Sequence, residues 1–426
     1  MKTSHVLNIL SVLSVVFLTL AACGPSPEQQ TAMTSTAMTA LAALWTATPT
    51  IIPTATQVPT STPAPTQTTI PTPTPTLTPT QSQLLAWEQV NAPDITYYRQ
   101  DITSLQVFKG ELYAASSNWN SQSDTALYHS TDGAHWNKID SLSVECAWFH
   151  FGTFKDMLYA GGGCSLGILW RSSDGKNWEV ISPDGFGDPT NQVVGLLYEF
   201  NGMLYASTYN GTSGAQIWRS SSGDPGTWNK VFSNENPIVM SVNSFYSFGG
   251  KLYATFGVLH ETAMIQVWRS EDGVKWEEVD NGFDQITNGI NLWGTSNMID
   301  FKGVLYLGTS GGMNGGQLYR LENGASWIKV FDDGMGDADN FGVESLIIFN
   351  SDLYMVLDNE AGITVWRSSD AQKWDQVSEP GFGDPSNNQQ TQGGTSVTIF
   401  NNQLYIGTDP FADENGTGQI WRTGNP

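Results

Sequence analysis

The stretch NQVVGLLYEFNGMLYASTYNGTSGAQIWRSSSGDPGTWNKVF, residues 191–232, decides the fold. Val193 to Phe200 reads as a strand, Asn201-Gly202 as a two-residue hairpin turn, and Met203 to Thr208 as a second strand. A loop rich in Gly, Ser and Thr follows. Then come a third strand from Ala215 to Arg219, another turn, and a fourth strand from Trp228 to Phe232. Four short antiparallel strands in 42 residues make one small sheet.

The rest of the chain repeats this unit. Its Leu204-Tyr205 pair recurs at 112–113, 158–159, 252–253, 305–306, 353–354 and 404–405, each time four residues after a Phe. The third strand recurs as Ile168-Leu169-Trp170-Arg171, Gln266-Val267-Trp268-Arg269, Gln317-Leu318-Tyr319-Arg320, Thr364-Val365-Trp366-Arg367 and Gln419-Ile420-Trp421-Arg422. Repeat one has Ala126-Leu127-Tyr128-His129 there. Seven copies, 46 to 53 residues apart, predict an all-β chain: a single seven-bladed β-propeller of four-stranded antiparallel blades. The last copy stops after its third strand. Trp87-Glu88-Gln89-Val90 matches the fourth strand Trp374-Asp375-Gln376-Val377, so the N-terminal strand is predicted to complete blade seven and cover two sheet edges.

The segments before the repeats predict export. Lys2, an apolar run from about Val6, and Leu20-Ala21-Ala22-Cys23 resemble a bacterial lipoprotein signal, residues 1–22, cut so that Cys23 carries the lipid. Residues 23–82 are dominated by Thr, Pro, Ala and Ser and end in Ile70–Thr80, IPTPTPTLTPT. They read as a disordered, lipid-anchored stalk, and about 60 residues in extended polyproline-like form reach roughly 180 Å. The propeller is assigned 83–426, facing the extracytoplasmic side or cell surface. It is expected to be monomeric and to touch the membrane through the anchor only.

Setting aside Lys2 and Glu28 leaves 17 of 18 basic and 40 of 41 acidic residues in 83–426, a net of −23. That charge excludes nucleic acid as a partner. Cys146 and Cys164 fall almost opposite each other if strands flank the Lys155-Asp156 turn, which predicts a disulfide in an exported chain.

Between third and fourth strands stand Ser130-Thr131-Asp132-Gly133-Ala134-His135-Trp136, Ser172-Ser173-Asp174-Gly175-Lys176-Asn177-Trp178 and Ser270-Glu271-Asp272-Gly273-Val274-Lys275-Trp276. They resemble the Asp-box of sialidase-type propellers in its shorter form. The copy at 368–374 has Ala371 for Gly, 321–327 is degenerate, and 220–228 carries an insertion. In that family the boxes are structural and lie away from the active site. The resemblance therefore implies the architecture of 83–426 and specifies no activity.

Residues that recur at one repeat position are assigned to folding. Twelve of the 16 Trp do so on third and fourth strands, and a buried aromatic is worth roughly 4–6 kcal/mol gross at ~25 cal/mol per Å². Six of seven Arg (Arg171, Arg219, Arg269, Arg320, Arg367, Arg422) share one position, leaving Arg99. The sialidase resemblance implies three substrate-binding arginines from dissimilar positions and six blades, so the sequence disfavours sialidase activity. No Cys/His cluster has zinc spacing and no Ser-His-Asp arrangement stands out.

His150 lies four residues before Phe154, where other repeats carry Ser104, Leu196, Ser244, Asn297, Ser345 and Ser396; this small polar set predicts a central channel, with His150 lining it. Blade-joining segments Gly185-Phe186-Gly187-Asp188-Pro189-Thr190-Asn191 and Gly381-Phe382-Gly383-Asp384-Pro385-Ser386-Asn387 read as turns closed by Asp and Asn. No cofactor is expected. Structural calcium in the oxygen-rich loops Asp332–Asn340 and Asp409–Thr417 is the weaker reading, because neither matches an EF-hand.

What remains is aromatic and falls on the face opposite the Asp-box turns: Trp119, Trp148, Tyr209, Trp293 and Phe411, beside Asp101, Glu344, Asp409 and Asp413. Such platforms suit sugar stacking or a protein hot spot, and Trp148 and Trp293 equally suit caps on the core between blades. The expected function is a cell-surface lipoprotein binding a glycan or a surface protein without catalysis. One alternative is a glycoside hydrolase or lyase using two face carboxylates, Asp101 and Glu344 first among them. Asp-box xyloglucanases, by resemblance, pair two seven-bladed propellers, and this chain has one. The other alternative is an assembly factor for an exported complex.

Overall fold

The computed structural model describes residues 84–91, 95, 101–117, 125–142, 149–163, 165–258, 265–279, 294–310, 315–387, 396–409 and 417–424, all within the unit Pro79–Pro426. Among them there is no α-helix. The strands form five separate four-stranded antiparallel sheets and one eight-stranded sheet, which arises where two four-stranded units meet through the single pair Ser310–Gly342. In each unit the strands follow chain order, as in Asp101–Phe108, Glu111–Ser117, Ala126–Ser130 and Asn137–Ile139. One sheet differs: its fourth strand is Trp87–Gln89, which pairs with Ile420–Thr423 beside Gln403–Gly407 and Val397–Phe400.

Local chemistry explains the hairpins. At all seven Phe-to-Leu-Tyr turns both turn residues have positive φ, as at Asn201 (49°) and Gly202 (71°), the geometry that matches strand twist. Three of these turns begin with Lys, and each Lys has a second duty. Lys109 Nζ donates to Ser173 O (2.8 Å), Lys155 Nζ to Ser221 O (2.7 Å) and Lys302 Nζ to Ser369 O (2.6 Å), always in the next repeat. The ammonium groups sit 5.0–5.1 Å over Phe108, Phe154 and Phe301.

The core lies between sheets. Seven hydrophobic clusters each draw on two successive repeats, and one of them joins repeat seven (Phe400, Tyr405, Ile420) to repeat one (Leu105, Leu112, Tyr128). First strands of successive repeats touch, and Val397–Phe400 of repeat seven touches Asp101–Phe108 of repeat one.

The recurring Tyr and the turn Gly are two halves of one contact. The Tyr113, Tyr159, Tyr205 and Tyr405 hydroxyls stand where a Cβ on Gly175, Gly223, Gly273 and Gly133 would be, each in the following repeat, with repeat seven following onto one. Gly175 also has φ of 73°. Gly175→Ala is therefore expected to cost about 2–3 kcal/mol, from the left-handed backbone and the displaced Tyr113. Urea unfolding measures it, and a midpoint within error of wild type would refute the contact's role.

Candidate functional site

The pairing register sorts every residue onto one of two ends. Leu112 pairs with Ser130 at the end that carries the first hairpins and the Ser-x-Asp-Gly turns; Asp101 pairs with Ser117 at the other. At the first end the charges are occupied by folding. Asp132 Oδ2 bonds the His135 side chain (2.7 Å) while its Oδ1 accepts from His135 N (2.9 Å) and Ala134 N (2.8 Å), and Asp174 accepts from Asn177 N, the Asn177 side chain and Lys176 N; these bonds hold both carboxyls well below the usual range. The strand arginines tie neighbouring repeats. Arg171 bonds Glu179 and Asp224 (2.7 Å each), Arg219 donates to Asp272 O, and Arg269 donates to Gly324 O. Arg422 joins Glu88 across the chain's two ends (2.9 Å).

The blade-joining Gly-Phe-Gly-Asp segment is likewise structural, by a route wider than its own turn. Phe186, at φ of 63°, lies between Trp218 (5.2 Å, stacked) and Trp228 (4.8 Å) of the next repeat, and Phe382 lies between Trp421 and Trp87 (4.8 and 4.9 Å). Gln216 donates to Asp188 Oδ2 (2.8 Å) while its carbonyl accepts from Asn191 and from Trp218 Nε1. Asp384, Asn387, Gln419 and Trp421 repeat this arrangement.

The second end holds what the repeat does not explain. Five residues after each Leu, at the top of the second strand, stand Ser117, Gly163, Tyr209, Gly257, Ser310, Asp358 and Asp409. Only repeats six and seven place carboxyls there. Asp409 is 9% exposed, and its carboxyl is hydrogen-bonded to that of Asp101, which is 4% exposed, across the seam between repeats seven and one. Burial pushes the Asp409 pKa up to about 6, the Asp101 bond opposing it. Two carboxyls in such contact hold one proton between them. Glu344 is 1% exposed, and burial raises its pKa to about 8.

Asp101 and Glu344 belong to repeats one and six, with repeat seven between. Tyr209 is half-buried, its hydroxyl on Met240 Sδ (2.9 Å) at the same end. Trp119, Trp148, Trp293, Phe411, Asp413, Arg99, Cys23, Cys146 and Cys164 lie outside the described residues, as does most of the loop 409–417.

In repeats one, four and five the position equivalent to His150 is a latch between sheets. The Phe151 N–H donates to Ser104 Oγ (3.3 Å), Met298 N–H to Ser244 Oγ (3.0 Å) and Leu346 N–H to Asn297 Oδ1 (2.8 Å), always from the following repeat. His150 itself is 8% exposed, its Nδ1 makes no hydrogen bond, and burial lowers its pKa to about 4, so it is neutral at physiological pH. Among the described residues no group of three or more His, Cys, Asp or Glu is placed to hold a metal. In the loop Asp332–Asn340, Asp332 pairs with Lys329 and Asp337 Oδ1 accepts from Asp339 N (3.0 Å), so both carboxylates have local partners.

Sequence reasoning did not single out Asp358 or Ser310. The signal was available: lining up the second strands shows carboxylates at a position that holds Ser, Gly or Tyr in the other five repeats.

No family profile matches the chain, and no curated protein does. Solved structures resemble it in part. A prolyl endopeptidase is 12% identical over 76% of this chain and 50% of its own, with a TM-score of 0.47. An α-L-arabinofuranosidase from Clostridium thermocellum is 12% identical, over 54% of this chain and 92% of its own, at 0.34. Trypanosoma rangeli sialidase is 14% identical, over 65% and 53%, at 0.39. This chain spans about half the length of the endopeptidase and of the sialidase. Likeness at this level assigns no activity.

Proposed function

We propose that the chain is a lipid-anchored, stalked, seven-bladed propeller, closed by its N-terminal strand, whose loop-bearing end binds a glycan or another surface protein without turning it over. Supporting the closure are the pairing of Trp87–Gln89 with Ile420–Thr423 and the hydrophobic cluster shared by repeats seven and one.

The observation that carries the functional reading is the unequal use of the two ends. At one end Asp132, Asp174, Arg171, Arg219 and Arg269 recur and are bonded into turns and seams. At the other, the second strands diverge from repeat to repeat: one register holds Ser117, Gly163, Tyr209, Gly257, Ser310, Asp358 and Asp409, and the residue before it varies as well. A scaffold that is uniform where it holds itself together and varied at one end suits recognition by rigidly held loops. Asp101, Glu344, Asp358 and Asp409, the carboxyls at the first- and second-strand ends there, are buried, so none of these four is a solvent-reachable acid or base for hydrolysis.

The test is a broad glycan array probed with the purified chain. Specific binding that Trp119→Ala or Trp293→Ala abolishes, with unchanged melting, is the expected result. Cleavage of the bound glycan would replace this reading with the glycoside hydrolase one. A blank array would remove the sugar ligand and leave a protein partner, sought by pull-down from the cell surface.

A further inference from the structure

At the loop-bearing end of repeats five and six, three strands meet at one register. Gly342 pairs with Asp358 on one side and with Ser310 on the other, so the side chains of Ser310 and Asp358 emerge on the face that Gly342 leaves bare. Glu344 is the extra residue of a bulge between Val343 and Ser345, a distortion that re-aims a side chain. It folds back over the same face: a Cβ on residue 342 would collide with Glu344 Oε1 and with Ser310 Cβ. The result is a socket with a glycine floor and walls of two carboxyls and a hydroxyl. The bulge position holds Thr103 in repeat one and Asn243 in repeat four, so the charge belongs to this repeat and not to the fold.

The socket's polar atoms are incompletely satisfied. Glu344 Oε2 and Ser310 Oγ are buried and make no hydrogen bond. The Ser310 hydroxyl lies close enough to favour the ionised carboxyl, yet not in hydrogen-bonding geometry, and no basic side chain contributes to the balance at Glu344. A buried carboxyl without a cation costs several kcal/mol to keep ionised. Oxygen donors alone, without His or Cys, select a hard cation, and an irregular set completed by carbonyls or water suits calcium better than the strict octahedron of magnesium.

We propose that Glu344, Asp358 and Ser310 form a calcium site seated over Gly342 between repeats five and six. The ion would add a link between two sheets already joined by the Ser310–Gly342 bridge and the Asn297–Leu346 hydrogen bonds. It stands apart from the glycan-or-protein reading above, because binding and melting report it without any ligand on the loops.

The experiment uses the purified chain, stripped with chelator and titrated with calcium chloride at pH 7.5, read by scanning calorimetry and by metal analysis of the protein. The expected result is a melting temperature that climbs with calcium concentration, and one more bound calcium per chain than in Glu344→Gln. Ser310→Ala, a mild change at a buried site, should keep the fold and weaken binding about tenfold or more, the low end of what losing a residue that supports a metal site costs. Asp337→Asn, in the separate loop Asp332–Asn340, should leave the shift intact. The proposal is overturned if calcium up to about 10 mM, beyond the affinity of weak extracellular sites, moves nothing. It is equally overturned if Glu344→Gln keeps the full shift, or if Asp337→Asn abolishes it.

Discussion

A chain lacking residues 83–90 is expected to lose at least about 4 kcal/mol of stability, to melt roughly 5–10 °C lower over a broader range, and to aggregate. The segment does the work of a full fourth strand. Trp87, Glu88 and Gln89 pair with Thr423, Arg422 and Trp421. Trp87 Nε1 donates to Val377 O (3.0 Å), Leu85 N–H donates to the same oxygen (2.9 Å), and Gly424 N–H donates to Ala86 O (2.7 Å). Val90 is buried, and its carbonyl accepts from Trp136 Nε1 of repeat one (2.9 Å). One short strand therefore touches repeats six, seven and one.

Removing it leaves the edge of Ile420–Thr423 open, Arg422 without Glu88, and Phe382 without one of its two indole neighbours. An open hydrophobic edge is a template for pairing with another chain, which is why loss of solubility should accompany loss of stability. Calorimetry of the truncated and whole chains decides the matter. Identical melting curves would mean that the fold does not depend on this strand.

The architecture was legible because folding residues repeat and the chain writes them seven times. Leu204, Tyr205, Trp218 and Arg219 could be assigned to packing before any coordinate was known, since each has counterparts at the same spacing. What could not be read was the destination of those residues across the seam. Lys109 and Lys155 looked like ordinary turn residues; they reach carbonyls more than sixty positions away. Ser104 and Asn297 stood out only as a small polar set; that they bond the backbone of the next sheet was not legible.

Periodicity reveals what is equivalent between repeats. It does not reveal which repeat a side chain leans toward, because that depends on sheet twist and on how sheets pack. The site suffers the same limit. Asp101 and Glu344 were recognisable as departures from the repeat, but their partners depend on which strand ends meet. Asp101 meets Asp409 from 308 positions away, and Glu344 folds over a glycine two residues before it.

Asp409→Asn is expected to stabilise the protein by about 1–3 kcal/mol at pH 7.5 and to leave it unchanged near pH 3. The sign follows from the direction of the shift. Burial holds the Asp409 pKa at about 6 in the fold, above the ordinary value near 4 of an unfolded chain, so between those values the folded state binds more protons. Stability from this group is complete below pH 4 and declines as pH rises through 6, by about 1.4 kcal/mol for each unit between the two pKa values.

Above pH 6 the seam between repeats seven and one must accommodate two buried carboxylates, Asp101 and Asp409, in contact. Asparagine keeps the shape and the donor of a protonated aspartic acid while removing the second charge, so the Asp101 carboxylate retains its hydrogen bond at every pH. The melting temperature of the variant should exceed that of wild type at pH 7.5, and the two should converge toward pH 3. A variant that is less stable at pH 7.5 would show that the Asp409 carboxylate is compensated there by something other than a shared proton. Its seam would then be held by ionised groups, and the stability of wild type would rise with pH between 4 and 6 instead of falling.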